Sequence, residues 1–376
     1  MRRTERAEVV VVGGGPAGLS IAGALGRLGR AAVVLERDDR IGARWERRYD
    51  GLHLHTVRSC SGLAHFPIPR ANGRYVSKDG YVRYLREYVA RFALDVRTGT
   101  QVNAVRRCGG SWEIESHEID WRAPVVVLAT GRHDEPVGDD LAGADHFRGR
   151  LPHSADYRSP GEFTGRSVLV VGLGNSGAEI AAELARHGAT TVAVAVRTSP
   201  PITQREVLGL PVQLLGILLA RFPAGPVDRV GAAMRRARIG DLGKYGLDPP
   251  AWGPFTAKRP PVIDAGFLRE LKLGRVEVRR AVVRLTPTGA DFADGTSGTF
   301  DAVIAATGFR TALPRLLDLP DLLDDSGCPG NGRQYPGLYS IGYRETVRGA
   351  LFEINRNSRS FARSICSYLE RSQLVR

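Results

Sequence analysis

Short, wholly apolar runs bounded by glycine punctuate this chain, and they predict strands buried on both faces. The run Val9–Val12 is followed by a glycine cluster, an Ala/Leu-rich stretch with helical spacing, and a second apolar run ending at Glu36. The segment 168–196 repeats that order, with Gly172 lying 159 positions after Gly13. Gly15 and Gly18 correspond to Gly174 and Gly177, and Gly29, before the second strand, corresponds to Gly188. Each copy predicts a βαβ unit with a tight turn after its first strand.

That turn has a specific use. Its first glycine allows a sharp bend, its second lets backbone approach a pyrophosphate, and its third lets helix pack on strand, so the phosphates face the positive helix terminus. Gly13, Gly15, Pro16, Ala17 and Gly18 are therefore expected to bind one dinucleotide, and Gly172, Gly174, Asn175, Ser176 and Gly177 a second. Glu36 ends the second strand of the first unit, where a carboxylate accepts hydrogen bonds from a free ribose diol, as FAD or NAD presents. The second unit has no acid there and runs into Arg197, Thr198 and Ser199, which suit a 2′-phosphate. The pair predicted is FAD and NADPH; the alternative for Arg197 is an ordinary surface arginine.

Two further strand ends carry Ala-Thr-Gly, at Val125–Pro136 and Ala302–Arg310. Read as places where the chain changes domain, they predict an α/β fold of two nested Rossmann-like dinucleotide-binding domains. Residues 1–157 form the first part of an FAD domain, 158–300 an inserted NADPH domain, and 301–376 the C-terminal part of the FAD domain.

Composition narrows the picture. With 43% hydrophobic and 25% charged residues the chain can bury real cores. The net charge of +13 rests almost wholly on arginine, since only Lys78, Lys244, Lys258 and Lys272 are lysines. Acidic residues interleave with the basic ones, so no nucleic-acid partner is expected, although a positive field favours anionic cofactors. Cys60, Cys108, Cys328 and Cys366 are widely spaced and form neither a CxxC pair nor a metal pattern, which fits a reducing cytoplasm. The apolar stretch 207–220 is interrupted by Pro211 and too short to span a bilayer; a pocket wall, an access route or a core helix are its readings, and no membrane association is expected.

Taken together, the residues resemble the class B flavin monooxygenases, and within them most closely the plant YUCCA type. The resemblance covers almost the whole chain: GGGPAG at Gly13–Gly18, LERDDRIGARW at Leu35–Trp45, YDGLHLH at Tyr49–His55, FRGRLPHSADY at Phe147–Tyr157, GNSGAE at Gly174–Glu179, PVIDAG at Pro261–Gly266, ATGF at Ala306–Phe309 and GLYSIGY at Gly337–Tyr343. The family's FxGxxxHxxxY pattern falls on Phe147, Gly149, His153 and Tyr157 and is the most specific of these. Two departures separate the chain from neighbouring families. It lacks the redox cysteine pair of pyridine nucleotide-disulfide reductases and has Gly342-Tyr343 where they usually have Gly-Asp. Typical Baeyer-Villiger enzymes carry Trp at the position of Tyr157.

The resemblance implies that NADPH reduces FAD, and that the reduced flavin and O2 give a C4a-(hydro)peroxyflavin that oxygenates a small organic substrate. Oxidative decarboxylation of an aromatic 2-oxo acid is favoured, with N- or S-oxygenation or Baeyer-Villiger oxidation as the alternative. From other classes, a flavin or quinone reductase and a redox-sensing flavoprotein stay open. By the same resemblance Arg37 and Trp45 meet the nucleotide and flavin edge, Val102 meets adenine through its backbone, Thr130 and Gly131 belong to the flavin site, and Gly342 passes close to the isoalloxazine. The helix from about Leu351 points its N-terminus at the flavin. His55 is the one side chain expected near the oxygen chemistry, as a neutral imidazole that donates or accepts a hydrogen bond; a packed core histidine is the alternative. His153 reads as a domain-linking element. Arg205, Lys258 and Arg259 are carboxylate candidates, with solvated surface charge as their alternative.

Overall fold

A computed structural model describes residues 3–138 and 141–374. Val9–Val12 (β1) leads through the first glycine turn into Pro16–Gly26 (α1) and Ala32–Leu35 (β2); Lys78–Phe92 (α2), Asp95–Arg97 (β3) and Val125–Leu128 (β4) follow. A second pass runs Ser167–Val171 (β5), Asn175–Arg186 (α3) and Thr191–Val196 (β6). Two outlying helices come next, Val212–Leu219 (α4) and Ala224–Ile239 (α5), before Glu277–Arg280 (β7) and Ala302–Ala305 (β8). Gly332–Tyr335 (β9), Leu338–Ser340 (β10) and the long helix Ala350–Leu374 (α6) complete the chain.

These elements build an α/β fold around two sheets. One has the order β9-β10-β4-β1-β2-β3 and is parallel except for β9, while the other, β7-β6-β5-β8, is wholly parallel. Strand alternation sends Val9 and Val11 into a core with α1, α2 and α6, and Val10 and Val12 into another with Val105, Trp112 and Ile114 of an antiparallel meander. The second sheet repeats the layering, with Val168 and Val170 packed toward α3, and Leu169 and Val171 toward Leu285, Ala290 and Phe292 of another meander. Burial on both faces is why these strands read as continuous valine runs. At roughly 1.5–3 kcal/mol per buried aliphatic side chain, such runs anchor each sheet. Helix α1 is buried on every side from Ala17 to Leu25. Gly23 lets it touch α2, because a Cβ there would lie 2.2 Å from the Tyr88 hydroxyl.

Both expected domain boundaries move. Ala302–Ala305 was assigned to the C-terminal part of the first domain, yet it pairs with Val168–Val171 of the second sheet, as β4 pairs with β1 in the first. Bridges from Arg150 to Ala302 and from His153 to Ala305 place residues before 158 on the free edge of β8, and Phe147 packs with Leu169 and Val303. The second unit therefore begins before residue 158 and runs past 305. The physical reason is that β8 is buried on both faces and its partner is chosen by packing, not by position along the chain. The crossing between units lies just beyond, where Phe309–Arg310 pairs antiparallel with Glu135–Pro136.

Candidate functional site

The two glycine turns have the same geometry, and each glycine is required for a different reason. Gly13 and Gly172 sit at φ of +109° and +107°, and a Cβ on either would lie 2.6 Å from a carbonyl oxygen, that of Ala129 or Ala306. A Cβ on Gly18 would come 1.9 Å from the Gly13 oxygen, and one on Gly177 2.1 Å from that of Gly172. Gly15 and Gly174 differ from both: a Cβ there meets nothing within 4 Å. These two glycines cap α1 and α3 in extended conformation, so the space beside them is open to a ligand at a helix N-terminus. Pro16 at the first helical position removes an N–H that would bond nothing in the helix, leaving those of Ala17 and Gly18 available.

A cavity of about 980 Å3 joins the turns, for Gly13, Gly14, Gly15, Pro16 and Ala17 line it together with Asn175 and Ser176. At one end the Gly14 N–H donates to Glu36 Oε2 at 2.6 Å and the Asp38 N–H to Oε1 at 2.9 Å. Burial pushes the Glu36 pKa up while these donors pull it down, and each oxygen keeps a lone pair for a diol. Arg37 pairs with Asp134, and Arg44 donates to the His133 and Asp134 carbonyls. Trp45 lines the cavity with its ring 4.8 Å from Tyr81, edge to face. Val102, Thr130, Gly131 and Gly342 are on the same wall, as is the start of α6 at Gly349–Leu351. The Val102 carbonyl accepts the Gln101 amide, and the Thr130 N–H donates to the Tyr343 hydroxyl at 3.1 Å. The tyrosine of Gly342-Tyr343 thus ties β10 to the end of β4. Gly342, at φ +90°, brings the chain against Ala17, whose Cβ would be 2.8 Å from one added there. This set can hold an extended adenine dinucleotide along its length.

At the second turn the side chain of Asn175 is engaged elsewhere, since its Oδ1 accepts the Ile263 N–H of the PVIDAG segment at 2.8 Å. Only its backbone and Ser176 are left for a ligand. Arg197 and Thr198 are exposed at the end of β6, outside the cavity lining. Among the described residues Arg197 has no ion-pair partner.

His55 lies between the two units, in a cluster of buried polar groups that the sequence did not reveal. Its Nδ1 is buried without a hydrogen bond, 3.6 Å from Glu179 Oε1, and Arg205 Nη2 stands 3.6 Å from the same oxygen. The Tyr49 hydroxyl also donates to Glu179, and Arg205 lies over the Tyr75 ring at 4.7 Å. Burial, assisted by the Arg205 charge, lowers the His55 pKa to about 4, so the imidazole is neutral. Burial raises that of Glu179. The signal was present in GNSGAE, whose Glu179 stands one helical turn beyond Asn175 on α3.

The four residues of the FxGxxxHxxxY pattern form a strap along β8. Phe147 is buried; a Cβ on Gly149 would lie 2.5 Å from the Asp301 oxygen; and Tyr157 donates to Glu183 of α3 at 2.9 Å. His153 accepts the Ala155 N–H at Nδ1, 3.0 Å away, which leaves Nε2–H to donate to the Gly308 carbonyl at 3.1 Å. All four fasten the chain where it crosses between units.

None of Arg205, Lys258 and Arg259 lines the cavity: Arg205 faces Glu179, Lys258 is exposed, and Arg259 stacks on Trp252 at 5.0 Å. Among the arginines that do line it, Arg235 and Arg238 come from α5, on one stripe with Gly231, Met234 and Ile239 at helical spacing. Burial lowers the Arg235 pKa from its ordinary value, and Arg238 Nε donates to Gln204 at 3.4 Å. Helix α4 supplies an apolar wall through Leu215, Gly216 and Leu219, and its Gln213 accepts the Val57 N–H while donating to the Arg348 carbonyl.

The pyridine nucleotide-disulphide oxidoreductase family matches residues 10–208. Among curated proteins the chain is 36% identical to the indole-3-pyruvate monooxygenase YUCCA1 of Oryza sativa subsp. japonica, over 97% of this chain and 93% of that one. Among solved structures it resembles a double mutant of the flavin monooxygenase from Stenotrophomonas maltophilia, with a TM-score of 0.75, 27% identity, and coverage of 97% and 99%. An oxidized steroid monooxygenase bound to NADP shares the fold at a TM-score of 0.76 and 20% identity, over 98% of this chain and 86% of that one.

Proposed function

The chain belongs to the flavin monooxygenase family that includes the plant YUCCA enzymes, and from that premise we propose that it decarboxylates an aromatic 2-oxo acid oxidatively. Its cofactors are FAD and NADPH. We read the two sheets as nested dinucleotide-binding units, FAD on the Gly13–Gly18 turn and NADPH on the Gly172–Gly177 turn. When bound, the flavin supplies acceptance of a hydride and activation of O2, which no side chain of the protein can supply.

The observation that carries the proposal is that both turns open into one cavity, and that the part of its lining supplied by α4 and α5 is apolar except for two arginines, Arg235 and Arg238, and Gln213. None of the four cysteines lines it, and all four are free, which argues against a dithiol relay. A guanidinium pair attracts a carboxylate and repels a protonated amine, so an acid suits this part of the cavity better than an amine does. In this reading Glu36 holds the FAD ribose, the N–H groups at the start of α1 hold its pyrophosphate, and Arg197 with Thr198 holds the 2′-phosphate of NADPH. Neutral His55 keeps its proton on Nδ1, facing Glu179, and offers Nε2 as acceptor. Leu215, Leu219 and Met234 contact the substrate's aromatic part. The balance is 2-oxo acid, NADPH, a proton and O2 giving the acid one carbon shorter, CO2, NADP+ and water.

The test is NADPH-dependent release of CO2 from phenylpyruvate, run with catalase because free peroxide decarboxylates 2-oxo acids by itself. Equal amounts of CO2 and oxidised NADPH are expected. NADPH oxidation that yields only peroxide, or that needs a quinone or dye as acceptor, would overturn the reading in favour of a reductase.

A further inference from the structure

Among the described residues, eight of the eleven exposed large apolar side chains come from the stretch 208–234. Leu208 is 83% exposed, Leu218 51%, Phe222 57% and Val230 61%. Helix α4 is apolar on two faces: Leu215 and Leu219 look into the cavity, while Leu214 and Leu218, four residues apart, are exposed. An exposed patch of this kind on an otherwise polar surface marks an interaction site.

Charge beside the patch identifies the occupant. A second cavity, of about 470 Å3, lies against α4 and is lined by Ile217, Ala220, Arg221, Arg348, Phe352 and Arg356. Glu353 holds Arg348 at 2.6 Å, whereas Arg221 and Arg356 are exposed and without an ion-pair partner among the described residues. Helix α5 adds the exposed Arg229 and Arg236. The one acid of the stretch 208–234, Asp228, and the neighbouring Glu206 are both engaged. Asp228 accepts the Phe255 and Thr256 N–H groups, and Glu206 pairs with Arg74. Leucine and phenylalanine flanked by arginine is the composition of a surface that lies in a lipid interface. A second copy of this chain is a poor occupant, because a twofold contact pairs this face with itself and so brings the same exposed arginines, Arg221, Arg229, Arg236 and Arg356, to both sides.

We propose that α4, the turn after it and α5 form a peripheral docking face for an anionic membrane. Leu208, Leu214, Leu218 and Phe222 enter the acyl boundary, while Arg221 and Arg356 hold a lipid phosphate. No described helix is long and apolar enough to cross a membrane. Leu219 and Met234 are both exposed and part of the cavity lining, so the mouth of the main cavity opens within this face.

Co-sedimentation of the full-length, FAD-loaded protein with vesicles tests this. Partition onto phosphatidylcholine vesicles containing phosphatidylglycerol is expected, with little onto phosphatidylcholine alone and progressive loss as salt rises. Leu218→Ser and Phe222→Ser should each lower the partition coefficient about tenfold. Arg221→Ser and Arg356→Ser should each lower it about fivefold. Bound flavin and the rate of NADPH oxidation in solution report that each variant is folded. Absence of partition would overturn the proposal, as would equal partition onto neutral vesicles. So would a dimer seen by light scattering that Leu218→Ser abolishes without any vesicle binding, or binding of glycerol phosphate alone.

Discussion

Alanine at Gly15 and alanine at Gly18 should have opposite effects, although the two positions are three residues apart in one motif. At Gly15 the backbone is extended and the added methyl meets no protein atom within 4 Å. The apoprotein should therefore gain about 0.4–1 kcal/mol from the smaller entropy of the unfolded chain. FAD should suffer instead, because the methyl occupies the space of the pyrophosphate and separates it from two backbone N–H donors. Two such bonds to a charged group contribute about 1.5–3 kcal/mol each, so their loss weakens FAD binding by roughly two to four orders of magnitude. At Gly18 the methyl would lie 1.9 Å from the Gly13 oxygen, inside the core. Relieving that overlap costs the fold about 1–3 kcal/mol whether or not FAD is present. Thermal unfolding of the apoprotein and titration of flavin fluorescence separate the two effects. A Gly15→Ala variant that binds FAD as tightly as the parent, or that unfolds as readily as Gly18→Ala, would refute the reasoning. The second turn offers a replicate, with Gly174→Ala raising the KM for NADPH and Gly177→Ala destabilising the fold.

Other predictions follow from single side chains. Arg197→Ala should raise the KM for NADPH about tenfold or more while leaving that for NADH nearly unchanged, as loss of a charge-assisted contact to the 2′-phosphate requires; steady-state kinetics with both nucleotides decide it. Arg235→Leu should raise the KM for an aromatic 2-oxo acid about tenfold without altering NADPH affinity, and a shift in NADPH affinity instead would assign the cation to the nucleotide. His55 has its pKa lowered from 6.5 to about 4, so the unfolded chain binds the extra proton and stability falls as pH drops through that window. The buried imidazole accounts for up to about 3 kcal/mol of that loss, and denaturant titrations at pH 7 and pH 4.5 should show a smaller loss for His55→Asn than for the parent.

Much of this arrangement is legible in the chain itself, for a reason specific to the repeat. Gly13 and Gly172, Gly15 and Gly174, and Gly18 and Gly177 answer to the same local geometry, and Glu36 and Arg197 stand at strand ends, where period and position coincide. What is not legible depends on distant packing. Ala302–Ala305 and Val125–Leu128 occupy equivalent places in the two copies, yet the Ala-Thr-Gly after the first resembles a domain crossing and draws it away from its own sheet. The crossing is there, but a few residues later, at Phe309–Arg310. Asn175 follows a phosphate-binding turn, and nothing local shows that its amide is committed to Ile263. The Tyr49–Glu179–His55–Arg205 cluster draws on segments up to 156 positions apart, from Tyr49 to Arg205, and only the folded chain assembles it. The arginines of α5 were hidden for the opposite reason, since in a chain so rich in arginine no single one stands out until its helix face is known.

The central claim, that the protein is an oxygenase and not a reductase, is tested most directly by the fate of the oxygen atoms. Turnover of phenylpyruvate with NADPH under 18O2, with catalase present, should place one labelled atom in the carboxyl group of each phenylacetate formed and the other in water. Unlabelled phenylacetate, or NADPH consumed with all of the label recovered as peroxide or its breakdown products, would contradict the claim and leave flavin reduction as the activity.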